Sequence, residues 1–269
     1  MLDIFEYMFF QNALIGSLLV SICCGILGTY IVTRRLVFIS GGITHASFGG
    51  LGLGFYAGWN PILTALFFAI GSAFGVQYLS KNGKVREDSA IGVFWALGMA
   101  IGIIFIFMSP GFTPSLTEYL FGNILTINRT DLWIFLAFTC VLVIFFCIYN
   151  RAIIFTAFDP EFAKVLKIPV KLIDGIMLCF IAVSIVLTIR LIGIVLLMSV
   201  ITLPQMIAGI FYNDFRKIAL GAVFASAFCC VSGLIISYIL NVPAGACIVF
   251  VLVIVYSLIS LSKKLICNN

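Results

Sequence analysis

Few residues in this chain have types and spacing suited to chemistry. The single histidine, His45, lies in SGGITHASFGG at the start of the second apolar run. An ionisable group within a membrane span is costly and by default marks function. A neutral imidazole is also a good ligand for zinc and other borderline divalent metals. The plain alternative is an imidazole bonded to a neighbouring helix carbonyl. Glu87 and Asp88, in REDSAIG, precede the fourth run. They either complement the positive end of a helix dipole or serve metal exit or gating. Asp174 has Lys171 three residues before it, a helical pairing distance. Pro204 interrupts LIGIVLLMSVITLPQMIAG, where it frees a carbonyl and predicts a kink. Kinked or broken helices often line transport paths; a packing kink is the simpler reading.

The motifs that are missing narrow the chemistry. No GxxxxGK[ST] is present, so this chain does not bind ATP through a P-loop, and an ATP-driven process would need its motor on another polypeptide. No HExxH occurs, and a single histidine without paired intramembrane acids is a poor start for an intramembrane enzyme. The nine cysteines contain no CxxC pair, and most lie inside apolar runs, where they read as packing residues. No permanently bound cofactor is expected.

The elements that must position these residues follow from composition. Of 269 residues, 63% are apolar and 9% charged, with a mean hydropathy of +1.26, against roughly 25% charged in an average soluble chain. There is too little charge for a polar skin, and a lipid bilayer removes that need. The net charge of +5 then reports orientation rather than affinity for nucleic acid. Apolar runs fall near 12–33, 41–58, 61–80, 89–109, 131–150, 172–189, 191–212, 218–240 and 243–262. Each approaches the roughly 20 residues that cross a bilayer. Lacking strict alternation, they are helices rather than barrel strands.

Arg34 and Arg35 place the first loop inside. Alternating from there puts thirteen of the fifteen basic residues on the cytoplasmic side, leaving Arg129 and Arg190 outside, the latter free to snorkel. The N-terminal segment carries Asp3 and Glu6 with no Lys or Arg before Arg34, unlike a secretory signal, so the first run is kept as a span. The expected fold is all-α: one polytopic transmembrane domain over 1–269 with nine spans, the N-terminus outside and the C-terminus cytoplasmic.

Two stretches stand apart. Residues 110–130 hold two prolines around an apolar centre, YLFGNIL, which suggests a segment dipping into the membrane. Residues 151–171 form the longest cytoplasmic connection. There Asp159 reads as an N-cap, Pro160 as the first helical residue and Glu161 as a first-turn acid. The short amphipathic helix continues through Phe162, Ala163 and Lys167 until Pro169 stops it. The almost loop-free TIRLIG, around 189–192, suggests that a neighbouring span is broken or re-entrant. Glycines spaced by four (Gly50, Gly54, Gly58; Gly71, Gly75; Gly98, Gly102) predict bare helix faces and close helix approach.

Six segments, in order, resemble the ABC-3 family of permeases, the membrane subunits of zinc, manganese and iron importers. SGGITHASFGGLGLGFY is similar to the family's GDxxSHAxxPGxxxGY, and REDSAIGVFWALGMAIG to its ED-x-x-IG stretch. YLFGNILTINRTDL resembles LFGxILxxxxxDL, and FDPEFAKVLKIPVKLID resembles FDxExAxxxGxPVxxLD. LIGIVLLMSVITLPQMIA is similar to VGxxLLxxxLxxPAxxA, and ISYILNVPAGACIV to SYxxDxPxGAxIV. The resemblance implies a permease of a bacterial cytoplasmic (inner) membrane, working as a dimer with a second copy. An extracytoplasmic binding protein would deliver the metal, and a cytoplasmic ATP-binding subunit would dock near 159–168. The family's histidine matches His45, its aspartate four residues earlier matches Gly41, and Asn241 stands where an acid is usual. A lone imidazole leans to zinc, since oxygen ligands suit manganese better. The competing reading, a channel or ion-coupled secondary transporter of another solute, would want more charged residues within the spans.

Overall fold

The computed structural model describes residues 6–82, 85–109 and 127–267. The segment suggested to dip into the membrane, 110–126, lies outside them, as does the side chain of Arg190. Ten α-helices and no strand occur among the described residues: α1 Met8–Thr33, α2 Val37–Ala57, α3 Pro61–Asn82, α4 Glu87–Met108, α5 Arg129–Phe158, α6 Pro160–Val165, α7 Val170–Ile192, α8 Ile194–Phe211, α9 Phe215–Leu240 and α10 Ala244–Cys267. All nine apolar runs fall on helices, the arrangement that satisfies backbone hydrogen bonds without water. Seven are long and apolar enough to cross a membrane: α1, α3, α4, α5, α7, α9 and α10. The other two differ for visible reasons. Helix α2 has 21 residues, but six are glycine and Ser40, Thr44, His45 and Ser47 dilute its hydropathy further. Helix α8 is apolar but shorter over its described side chains, Leu196–Phe211.

The tight joint after α7 is a single residue, Gly193, at φ 80 and ψ 172. That dihedral belongs to glycine's territory. Beyond it α8 runs from Ile194 to Phe211 with Pro204 inside the helix.

The helices gather into two compact units. The first holds α1, α5, α8, α9 and α10, with α1 at its centre and packed on α5, α8 and α9. Gly25 lies against Val223 of α9, and Gly28 against Ile201 and Gln205 of α8. Polar contacts bind the same helices. Ser226 donates to Ser21 Oγ at 2.9 Å, Gln205 Nε2 donates to the Cys24 carbonyl at 2.7 Å, and Cys23 meets Thr139 Oγ1 at 3.2 Å. Lipid tails give apolar helices little reason to associate, so close small-residue contacts and interhelical hydrogen bonds carry the packing. Cys23, Cys24, Cys229 and Cys230 are buried and unoxidised, consistent with packing roles.

The second unit holds α2, α3, α4, α6 and α7 as far as Ile189. Here α2 is bare on two faces. A Cβ on Gly49 would sit 2.9 Å from the Gly98 carbonyl oxygen of α4, and one on Gly52 would sit 2.5 Å from that of Gly102. On the other face Gly50 and Gly54 rest on Pro61, Thr64 and Ala65 of α3. Two of the glycines expected to pack do something else. Gly58 adopts φ 69 as the left-handed cap of α2, with Trp59 N donating to the Gly54 carbonyl at 2.9 Å. A Cβ added to Gly71 would meet nothing within 4 Å, and the residue lines an apolar groove with Phe67, Phe94 and Ile101.

This contrast predicts opposite outcomes for two substitutions. Gly98→Val drives a branched side chain into Ala46 and should cost about 1–3 kcal/mol. Gly71→Ala should be neutral or stabilise by up to about 1 kcal/mol through helix propensity. Thermal denaturation of the purified chain in detergent checks both; equal losses would contradict the α2–α4 contact.

Candidate functional site

The glycine contact between α2 and α4 is what places His45. Gly98 approaches the His45 carbonyl and Ala46 so closely that the two backbones touch. The residues one turn apart around Gly98, Trp95 and Met99, are thereby laid across the imidazole. The His45 ring stacks on Trp95 with centroids 4.2 Å apart and planes at 13°, and Nδ1 lies 3.3 Å from Met99 Sδ. His45 is half-buried. One aromatic face is covered, and one nitrogen is engaged by a thioether sulfur, a soft and weak acceptor. The nearby hydroxyls are turned inward: Thr44 donates to the Ser40 carbonyl and Ser47 to the Thr44 carbonyl, each at 2.6 Å. Gly41, one turn before His45, is buried and offers no donor atom from a side chain. Among the described residues no three His, Cys, Asp or Glu side chains converge as a metal-binding cluster.

The acids at the head of α4 do not join this site. Glu87 and Asp88 form the first turn of the helix and are exposed, and Arg86 Nη2 lies 3.5 Å from Asp88 Oδ2. At 1.5 Å per residue, Met99 is about 17 Å further along the axis. Their position fits the dipole role. Asp174, in α7, is 5% exposed. Pro204 belongs to the first unit and is followed by Gln205, whose amide is clamped to α1 as described.

The connection from α5 to α7 folds much as its residues dictate. Asp159 closes α5, its amide donating to the Phe155 carbonyl at 2.9 Å, and Pro160 opens α6. Glu161 Oε1 accepts from Lys164 Nζ at 2.6 Å on an exposed surface, where such a pair contributes little. Ala163 is wholly buried, whereas Phe162, Val165 and Leu166 are exposed at 47%, 78% and 46%. The helix ends sooner than expected from Pro169. Lys167 takes the left-handed conformation at φ 58, and Lys167 N and Ile168 N donate to the Lys164 and Ala163 carbonyls. That is a Schellman stop with lysine where glycine is usual.

Trp95 and Met99 were not singled out from the sequence. Their signal was indirect: they bracket Gly98, whose spacing to Gly102 already predicted a contact face. Gln205 follows Pro204, where the resembled PAxxA pattern has an alanine.

An all-helical, multi-pass membrane protein with a lone half-buried imidazole and a short surface helix bearing exposed apolar residues is the class defined so far. The profile of the ABC 3 transport family matches residues 6–263, and the chain belongs to that family. It is 37% identical over 265 residues to an uncharacterized membrane protein of Synechocystis sp., covering 98% of this chain and 94% of that one. It is 29% identical over 249 residues to the manganese transport system membrane protein MntC of Halalkalibacterium halodurans, covering 93% and 85%. The structure of PsaBC from Streptococcus pneumoniae in complex with Fab matches with a TM-score of 0.86 at 27% identity, over 96% of this chain and 92% of that one.

The stop after α6 yields a prediction. Lys167→Gly relieves a left-handed lysine and should stabilise the chain by about 1 kcal/mol. A higher thermal midpoint checks it; a lower one would show that the Lys167 side chain matters more than its backbone.

Proposed function

We propose that this chain is the membrane-spanning permease subunit of an ATP-driven importer of divalent transition-metal ions. The family match over 6–263 carries the reading. The relative named as a manganese transport membrane protein supports a metal cargo. That name points to manganese where the imidazole alone leans to zinc.

In this reading two permease copies enclose the pathway in a bacterial cytoplasmic membrane, with nine spans, the N-terminus outside and the C-terminus inside. An extracytoplasmic binding protein hands over the metal, and His45 is its candidate contact along the pathway. Energy comes from a separate ATP-binding chain, since this sequence has no P-loop. That chain docks on α6, where Asp159, Pro160 and Ala163 hold the helix in place and Glu161 and Phe162 face outward. Glu87, Asp88 and Pro204 are candidates for gating or exit.

The deciding experiment is metal analysis by mass spectrometry of cells lacking this chain, grown under limitation of manganese, zinc or iron in turn. A selective fall in one metal, restored by the intact gene, is expected and names the cargo. Unchanged contents under all three limitations, in a strain with no redundant importer, would refute the reading. His45→Ala should lower initial uptake by about tenfold or more, as loss of metal-site groups commonly does, with the membrane level unchanged; normal uptake would remove His45 from the pathway. Phe162→Ala should weaken retention of the ATP-binding subunit on affinity purification by about tenfold or more, the loss expected of an aromatic anchor. Undiminished co-purification would exclude α6 as the docking helix.

A further inference from the structure

A groove of about 350 Å³ lies between α1 and α5, within the first unit. Its two walls are held together where the helices start. Asn12 is buried, and its Nδ2 donates to the Ile127 carbonyl at 3.1 Å, just before α5 begins. One turn further along α1, Gly16 lets the helices settle on each other: a Cβ there would sit 3.5 Å from Leu132 Cδ2.

The groove has a polar end and an apolar end. Gln11 and Arg129 line it at the helix starts, Trp133 stands one turn further in, and Ile15, Leu19 and Leu136 line the rest. At 100° per residue, Arg129, Trp133 and Leu136 fall within about 60° of one another on α5. Among the described residues, Arg129 is the one charged side chain in the lining. Asp131, in the same turn of α5, is buried and lies about 160° from Arg129 around the helix. At 1.5 Å per residue the lining extends about 10–12 Å along the helix axes. That is most of the roughly 15 Å half-thickness of a bilayer's hydrocarbon core.

Tryptophan concentrates at membrane–water interfaces, where its ring faces hydrocarbon and its N–H faces the headgroups. Trp133, 70% exposed, marks that depth on α5. Arg129, one turn nearer the helix start, stands at headgroup level, and a guanidinium fork matches phosphate oxygens bidentately. Beneath it the apolar wall offers dispersion contacts suited to a hydrocarbon chain. A free phosphate would use none of that wall. The lining also holds no carboxylate to receive the ammonium of a zwitterionic headgroup.

We propose that this groove binds one anionic phospholipid, with its phosphate on Arg129 and an acyl chain laid along Ile15, Leu19 and Leu136. Nothing in this recognition depends on the transported metal.

The test is native mass spectrometry of the full-length protein released from detergent micelles containing phosphatidylglycerol or phosphatidylethanolamine. Thermal midpoints in lipid-free detergent are measured alongside. The wild-type chain should retain phosphatidylglycerol in preference to phosphatidylethanolamine. Arg129→Gln should cut that retention about fivefold, the worth of one basic residue at an anionic lipid surface, with the thermal midpoint unchanged. Leu136→Trp, which fills the apolar end and leaves Arg129 in place, should lower it by a similar factor. Equal retention of the two lipids, or undiminished phosphatidylglycerol on either variant, would overturn the proposal. Displacement of the lipid by inorganic phosphate would overturn it in favour of a free-anion site. Loss of self-association in Arg129→Gln would assign the groove to contact between copies instead. A fall in thermal midpoint in both variants, matching the loss of lipid, would make the groove structural and count equally against it.

Discussion

Backbone touching backbone between α2 and α4 is the constraint on which the second unit turns. In water, helices associate because apolar faces flee the solvent. In a bilayer that force is nearly absent, and dispersion at close range must replace it. Gly49 against Gly98 and Gly52 against Gly102 leave no room for a side chain between the two backbones. The arrangement has a chemical by-product. It brings α4 near enough for Trp95 and Met99 to reach the single imidazole of the chain, so one set of glycines determines both the packing and the environment of His45.

The first unit solves the same problem differently. Around α1 the small residues Gly25 and Gly28 admit Val223 and Gln205, and polar side chains add bonds between helices. Gln205 illustrates the balance. Its Nε2 is bonded to the Cys24 carbonyl, while its Oε1 is buried without a protein partner. A long amide at this position is tolerated because Gly28 has no side chain to contest the space.

Much of this was legible in the residues. Where charge is scarce, the charges, prolines and asparagines between apolar runs mark helix ends, and each of the nine runs coincides with a helix. Pattern alone said less about what a given glycine does. Gly58 and Gly102 share the same four-residue spacing, yet Gly58 ends α2 in a left-handed turn and Gly102 receives Phe48. The difference lies in the partner helix, which spacing does not encode. The end of α6 escaped for a related reason: Pro169 is a conspicuous stop, but Lys167 had already turned the chain, using a backbone conformation that lysine rarely advertises. The neighbours of His45 depend on the rotation of α4 about its axis, a property of packing rather than of local sequence.

The brief link from α6 to α7 has a mechanical consequence. Only residues 166–169 separate the two helices, and little in them can give. Lys167 and Ile168 are tied back to α6, Val170 N is bonded to the Ile168 carbonyl at 2.8 Å, and the Pro169 ring fixes its own φ. A slack tether would dissipate a push as bending. Through a link this short and this tied, a tilt of the six-residue surface helix would reach the base of α7 with little lost to bending. Any rotation of α6 and the angle through which α7 turns are geared together by these four residues.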